Sequence, residues 1–320
     1  MTTWHRLLLL LAVLVAQPAA AQQEGVVRIV LGYPAGATSD ILSRLLAEHM
    51  RGSLGRPVIV ENKPGAGGQI ANEVVKAAAP DGATLLVTPV ATMAIFPHSF
   101  AGRLRYDPFK NFAPVAHLSN FQLGFGVNAN VPAKTLAEYV AAVKKDPKLG
   151  FYASAASGSI PHFFGVMFAR AAGIELTHVP YKGTAPALQA LAGGEVSAIS
   201  TVAADIGTLV KSGKARLLAV SGEKRMSAFP DVPTFKESGY DLVALPWYAM
   251  FAPAGTPQPI IEKYSAAAIA AVHDPAMRQR LEDMGLEPTG LGPAELAKIL
   301  KADYDKWGPV IRASGFKPGQ

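Results

Sequence analysis

From residue 26 onward, short apolar runs alternate with longer segments whose apolar residues return every three or four positions. "VVRIVLGY" (26–33) has the unbroken apolarity of a buried strand. "SDILSRLLAEHMRGS" follows it and repeats Ile41, Leu42, Leu45, Leu46 and Met50 at helical spacing. "PVIVEN" (57–62) and "TLLVTP" (84–89, after the turn "PDG") predict two more strands, with a helix in "GGQIANEVVKAAA" between them. A second series starts near 123. "LGFGVN" (123–128), "LGFYAS" (149–154), "THVPY" (177–181), "EVSAIST" (195–201) and "ARLLAVS" (215–221) read as strands. Helices are predicted in "TLAEYVAAVKKD" with Thr135 as N-cap, in "IPHFFGVMFARAAG" ending at Gly173, and in "TAPALQALAGG" ending at Gly193–Gly194.

The end of the chain has a different pattern. "LPWYAMFAPAGTP" (245–257) reads as an extended segment closed by a turn, with Trp247 and Tyr248 at a hinge. Two helices are expected after it, in "PIIEKYSAAAIAAVHD" and "PAELAKILKADYDKWGPVIRAS". Helices without strands of their own must pack on a sheet formed elsewhere, so the chain is expected to leave a first lobe near 120 and return near 248. Repeated strand–helix units argue for parallel sheets covered on both faces. The expected fold is thus α/β with two lobes and two crossings: residues 22–122 plus 248–320 form lobe 1, and 123–247 form lobe 2.

Composition narrows the function classes. Residues 1–21, with Arg6 ahead of a short apolar stretch and "AAA" at 19–21, read as a signal peptide cleaved before Gln22. The 320 residues contain no cysteine, which rules out disulfides, thiolate metal sites, Cys nucleophiles and a lipidated N-terminal cysteine. An exported, unanchored, disulfide-free chain fits a bacterial periplasm. The net charge is +6, but the basic residues are scattered, as at "KK" 144–145 and "EKR" 223–225. Nucleic acid is therefore not an expected partner, whereas a mild positive field favours small anions.

The candidate chemistry lies in turns rich in small and hydroxyl residues: "PAGATSD" (34–40), "PGAGGQ" (64–69), "TPVATM" (88–93), "SAASGSIPH" (154–162) and "YKGTAP" (181–186). Each precedes or opens a helix, and a helix N-terminus carries about half a positive elementary charge and free N–H groups. Read more plainly, they are tight turns with Thr38, Ser159 and Thr184 as N-caps. Neither G-x-G-x-x-G nor a Gly-Lys-Ser/Thr loop occurs, so no nucleotide cofactor is implied. No G-x-S-x-G elbow surrounds Ser157 or Ser159. The histidines at 49, 98, 117, 162, 178 and 273 show no metal-binding spacing, and Asp303 and Asp305 do not share a helix face. His162 is the best polar candidate, with packing or capping as its plainer role. Lys182 could face an anion or simply be exposed, and Tyr33 and Tyr181 each end a strand beside the presumed cleft.

Taken together and in order, "YPAGATSDILSRLLAEHM", "GRPVIVENKPGAGGQIANEVVKAAAPDGATLL", "YDPFKNFAPVAHL", "THVPYKGTAPALQALAGGEV", "SGKARLLAVSGEKR", "FPDVPTFKESGY" and "FAPAGTP" resemble the periplasmic receptors of tripartite tricarboxylate transporters, the Bug family. The resemblance implies a two-lobed flytrap fold of the type II periplasmic-binding class, a small organic acid as ligand, and a membrane permease as partner. It also implies a monomer with neither cofactor nor metal. The ligand-contact positions it implies are Tyr33, Ala35, Gly36, Ala37 and Thr38 in the first turn, and Pro89 and Ala91 in the third. In lobe 2 they are Ser154, Ala156, Ser157, Gly158 and Ser159, then Tyr181, Lys182, Gly183 and Thr184, and Thr201 at a strand end. Three departures stand out. Ala37 replaces a usual glycine, Ala156–Ser157 replace Gly-Asn, and Thr201–Val202 replace Asp-Asn. The added methyl at 37 is expected to narrow the pocket or to resist a positive φ. Without charge at 201, a di- or tricarboxylate or an aromatic acid is expected rather than an amino acid such as aspartate. The competing readings are an exported hydrolase using Ser157 or Ser159, and a ligand-loaded sensor subunit.

Overall fold

A computed structural model describes residues 25–317; the leader expected at 1–21 lies outside the described residues. Two mixed sheets organise the chain. The first has six strands in the order β11–β4–β10–β3–β1–β2. These are β1 (Val27–Leu31), β2 (Val58–Asn62), β3 (Thr84–Pro89), β4 (Phe112–Phe121), β10 (Trp247–Pro253) and β11 (Leu286–Leu291). The second has five strands in the order β7–β6–β8–β5–β9. It contains β5 (Leu123–Asn128), β6 (Phe151–Ser154), β7 (Thr177–Pro180), β8 (Ala198–Val202) and β9 (Ala215–Val220).

The expectation of parallel sheets needs correction. β1 runs parallel to β2 and β3, and β6 to β7 and β8. However, β10 is antiparallel to both β3 and β4, β11 is antiparallel to β4, and β5 is antiparallel to β8 and β9. β4, β5, β9 and β10 flank the two crossings, where the chain passes from one sheet to the other, whereas β11 joins the edge of the first sheet after two C-terminal helices. The C-terminal region also has more than two helices. Gln258–His273, Pro275–Asp283 and Pro293–Ala313 are helical, and β11 lies between the last two. Residues 247–253, within the segment expected to be extended, form a fully buried strand inside the first sheet, and Trp247 and Tyr248, expected at a hinge, open that strand. A central strand next to β3 must be apolar on both faces, and "WYAMFAP" is.

The helix that follows β1, α1 (Thr38–Leu54), buries Leu42, Leu46, Met50 and Leu54 on one stripe. It stops at Gly55, which takes the left-handed φ of 68° and returns its N–H to Arg51 O. In the second lobe, α2 (Leu136–Lys145) is capped by Thr135, whose hydroxyl accepts from the Glu138 N–H. Further helices there are α3 (Ile160–Ala172), α4 (Thr184–Gly193) and α5 (Ala203–Lys211). One apolar core runs through both lobes, and a second cluster, including Leu191, Ile199, Ile206 and Val220, sits under α4 and α5. Among the described residues, no helix is long and apolar enough to cross a membrane.

Candidate functional site

The first strand-to-helix turn is held from behind by backbone and in front by one carboxylate. Gly32, at the end of β1, lies so close to the second turn that a Cβ there would sit 2.5 Å from Gly68 Cα. Tyr33 bridges the same two turns. Its carbonyl accepts from Asn62 Nδ2 at 2.9 Å, and its hydroxyl donates to Gly67 O at 3.1 Å. Asp40 then reaches back along α1, accepting from the Gly36 N–H at 2.9 Å, Arg44 Nε at 3.0 Å and Asn62 Nδ2 at 2.8 Å. Burial resists ionisation of Asp40, but these donors outweigh it and hold its carboxyl below the ordinary carboxylate range.

The methyl at Ala37 carries no backbone penalty, contrary to one half of the expectation: Gly36 takes the positive φ of 84°, while Ala37 is extended at φ −70°, ψ 157°. Ala37 is also the N-cap, not Thr38, and it provides no side-chain cap. The first N–H groups of a helix have no intrahelical acceptor, so this end is open to an outside anion. Replacing Asp40 with alanine is expected to lower stability at pH 7 by about 2 kcal/mol, because three donors lose a buried charged acceptor. A depressed folded pKa stabilises above the unfolded value and is lost as pH falls. The difference between wild type and Asp40→Ala in urea unfolding should therefore begin to shrink as pH falls below about 4 and disappear once Asp40 is protonated in the folded protein as well.

The second turn is conformationally unusual. Gly65, Ala66, Gly67 and Gly68 all have positive φ, and Ala66 at 47° is the one non-glycine that does so among the described residues. The left-handed conformation costs an alanine on the order of 1 kcal/mol. This run brings Gly67 O and the Gly68 backbone up to the Tyr33 ring. In the third turn Pro89 closes β3 and accepts from Thr92 Oγ1, while Ala91 opens a wide helical turn to Ile95. Ser99, a little further on, donates to Gly158 O in the other lobe at 3.3 Å.

In lobe 2 two of the hydroxyls expected to meet an anion are already engaged. Ser154 is fully buried and donates to Ala156 O, and Ser159 donates to the same carbonyl while capping the His162 N–H. Ala156 and Ser157 are half-buried, and Gly158, at φ 74°, is covered by Phe316 and Phe100. The Tyr181 N–H donates to Ser154 O and the Gly183 N–H to Ala155 O, which ties the last two turns together. Tyr181 is half-buried and Lys182 exposed. Gly183, not Thr184, caps α4, and Thr201 is 1% exposed within β8.

His162 proves to be a packing residue. Its Nδ1 accepts from the Gly158 N–H at 3.1 Å, and its ring stacks on His178 with centroids 4.0 Å apart. Sequence spacing gave no hint of this pair: His162 lies in the first turn of α3, and His178 lies on β7, opposite Tyr152 of β6, whose hydroxyl donates to His162 O. His178 Nε2 meets Ser154 Oγ at 2.7 Å, and because that hydroxyl donates to Ala156 O, Nε2 must be the donor. Burial lowers His162 to about 4 and, together with the charge of His162, lowers His178 to about 3. Neither imidazole ring is bonded to the Ser157 or Ser159 hydroxyl as a base would be. A cavity of about 420 Å³, lined by Ser157, His162, His178, Phe316 and Lys317 among others, lies beside this pair. No group of three or more potential metal ligands occurs among the described residues.

The lobes meet at a contact that sequence reasoning missed. Thr38 Oγ1, at the start of α1, donates to Asp205 Oδ1 at 3.3 Å, in the first turn of α5. Burial pushes the Asp205 carboxyl up to about 6, against the Thr38 bond, which lowers it. Tyr248 on β10 is close enough to feel both Asp205 and Tyr33; burial first, then their charges, raise its phenol far above the ordinary value. The sequence signal was present but unused: an acid three residues into the helix after "SAIST", at the lobe edge that the turns were expected to line.

The sequence matches the family described as "Tripartite tricarboxylate transporter family receptor" over residues 42–316. A protein described as "UPF0065 protein in gbd 5'region" of Cupriavidus necator is 35% identical, covering 96% of this chain and 94% of that one. The solved structure of the periplasmic binding protein BugD is 32% identical with a TM-score of 0.83, covering 91% of this chain and 98% of that one. MatC from Rhodopseudomonas palustris with bound malate is 32% identical with a TM-score of 0.81, over 89% and 98%. A second R. palustris protein, with adipate, is 28% identical with a TM-score of 0.86, over 91% and 97%.

Proposed function

We propose, for a chain that belongs to the tripartite tricarboxylate transporter family of receptors, a role as a non-enzymatic periplasmic solute receptor that captures one small organic carboxylate between its lobes. The observation that carries this reading is the start of α1. It is a helix N-terminus without a side-chain cap, and it opens on the contact between the two lobes. Backbone N–H groups there favour a carboxylate without any arginine. The malate and adipate held by two proteins of the same fold support the same ligand class. The contact set is proposed as the turn from Tyr33 to Thr38, the third turn at Pro89 and Ala91, and the lobe-2 turns at Ala156–Ser157 and Tyr181–Thr184. Thr201, at the end of β8, completes the proposed set. Export by the leader at 1–21 and delivery to a membrane permease complete the role.

A thermal-shift panel tests the reading with di- and tricarboxylates, aromatic acids and aspartate. An acid at about 100 times its Kd adds about 2.7 kcal/mol to apparent stability. At least one di- or tricarboxylate or aromatic acid should raise the melting temperature by several degrees, and aspartate should not exceed it. A panel without any shift, or turnover of ester substrates with labelling by a serine-reactive probe, would sink the receptor reading.

A further inference from the structure

Asp205 occupies a place in the cleft where a ligand carboxylate and a protein carboxylate would compete. Its Oδ1 takes the Thr38 hydroxyl at 3.3 Å, at the very helix end proposed to hold the ligand. Two carboxylates sharing one donor and one helix end cannot both stay ionised without strong repulsion, the arrangement that raises one partner's pKa in carboxylate pairs. The other groups that face Asp205 do not neutralise it. Tyr33, half-buried, and Tyr248, buried, are phenols that stay protonated at neutral pH. Asp40 on α1 is itself acidic and is committed to Arg44, Asn62 and Gly36. From β9, which packs on α5, Arg216 is turned to the carbonyls of Ala129, Val131 and Ala133. Beside α5, Gly285 meets Ala204, and nearby Glu287 accepts from Gln122. The Asp205 carboxyl, already pushed up by burial, thus has the Thr38 hydroxyl as its partner, and among the described residues no cation acts on it.

We propose that Asp205 is the specificity-determining residue of the cleft: a ligand carboxylate seats at the start of α1 only when Asp205 is a neutral carboxylic acid, which then donates its proton's hydrogen bond to the ligand. Capture of the acid thereby takes up one proton from solvent at Asp205, and release returns it. The inference rests on the carboxylate-receptor reading and deepens it.

Calorimetric titration of the full mature protein with malate and with adipate, from pH 6 to 8.5 and in two buffers of different ionisation enthalpy, tests it. Wild type should take up close to one proton per ligand at pH 7.5, and its Kd should weaken about tenfold per pH unit above about 6. Asp205→Asn, which keeps the shape and removes the charge, should bind with a Kd that changes less than twofold over the same range. Wild-type proton uptake decides the matter even if that variant folds poorly. A wild-type Kd independent of pH, without proton uptake, would overturn the inference and leave the receptor reading standing. So would aspartate binding more tightly than either acid, with no proton uptake and with loss of binding in Asp205→Asn. Binding of none of the three acids to either protein at any pH would remove the receptor reading and this inference together.

Discussion

Gly32→Ala is expected to lower unfolding stability by about 2–3 kcal/mol and to abolish stabilisation by carboxylic acids. The reason is backbone against backbone. The new Cβ would lie 2.5 Å from Gly68 Cα and 2.9 Å from Gly68 O, and neither atom can rotate away as a side chain would. Gly68 is itself held at φ 101°, within the run of left-handed residues, so it has little room to retreat. Separating the turns must break the Tyr33 hydroxyl bond to Gly67 O and swing Tyr33 away from the start of α1. Gly52→Ala is the matched control. Nothing lies within 4 Å of a Cβ at that helical position, so a gain of about 0.5–1 kcal/mol is expected there. Urea unfolding of both variants, with and without the acid that gives the largest thermal shift, measures the two effects. A Gly32→Ala protein as stable and as responsive as wild type would refute the close approach of the two turns.

The second large effect is a loss of stability in mild acid. His117, 1% exposed and bonded through Nδ1 to Thr289 Oγ1, is lowered by burial to about 4, and His162, 9% exposed, is lowered likewise to about 4. Burial disfavours the imidazolium, so both fold as neutral rings, whereas the unfolded chain titrates near 6.5. Their contribution is therefore complete above about pH 6.5 and is lost as pH falls toward 4. Two such shifts imply a drop on the order of 5 kcal/mol between pH 7 and pH 4, and His178 adds to it in the same direction. Protonating His162 also turns an N–H against the Gly158 N–H that its Nδ1 now accepts. Unfolding midpoints at pH 7, 5.5 and 4.5 should fall steeply, and His162→Asn, whose Oδ1 replaces Nδ1 as acceptor, should fall less. Midpoints constant across that range would mean these rings are not buried neutral.

Local chemistry was legible in the sequence, and partners distant along the chain were not. "TLLVTP" is β3 from end to end, and Thr135 and Ser159 are the caps their positions predict. β4 escaped notice because Pro114, His117 and Asn120 interrupt its apolar pattern. It tolerates them because its neighbours β10 and β11 come from far along the chain, and Thr289 provides the partner for His117. β11 was hidden by Pro288 and Gly290, residues acceptable only because it is an edge strand. Spacing located the strand-to-helix turns but not which way their hydroxyls face. Ser154 and Ser159 turn inward to Ala156 O, and Thr38 turns across the lobes to Asp205. Nothing in the sequence singled out Asp205, since its relation to Thr38 depends on how the two sheets come together.

The position of β10 also sets an order of assembly. Every strand of the second sheet lies between residues 123 and 220, so that sheet can complete its ladder from one continuous stretch of chain. The first sheet cannot. β10 fills the gap between β3 and β4, and until Trp247–Pro253 arrives both strands present unpaired edges. Non-local pairing of this kind is slow, and open apolar edges invite association with other chains. The half of the molecule that begins first in the sequence is thus the half that finishes folding last, and the interval before β10 inserts is when a newly made chain is most vulnerable to aggregation.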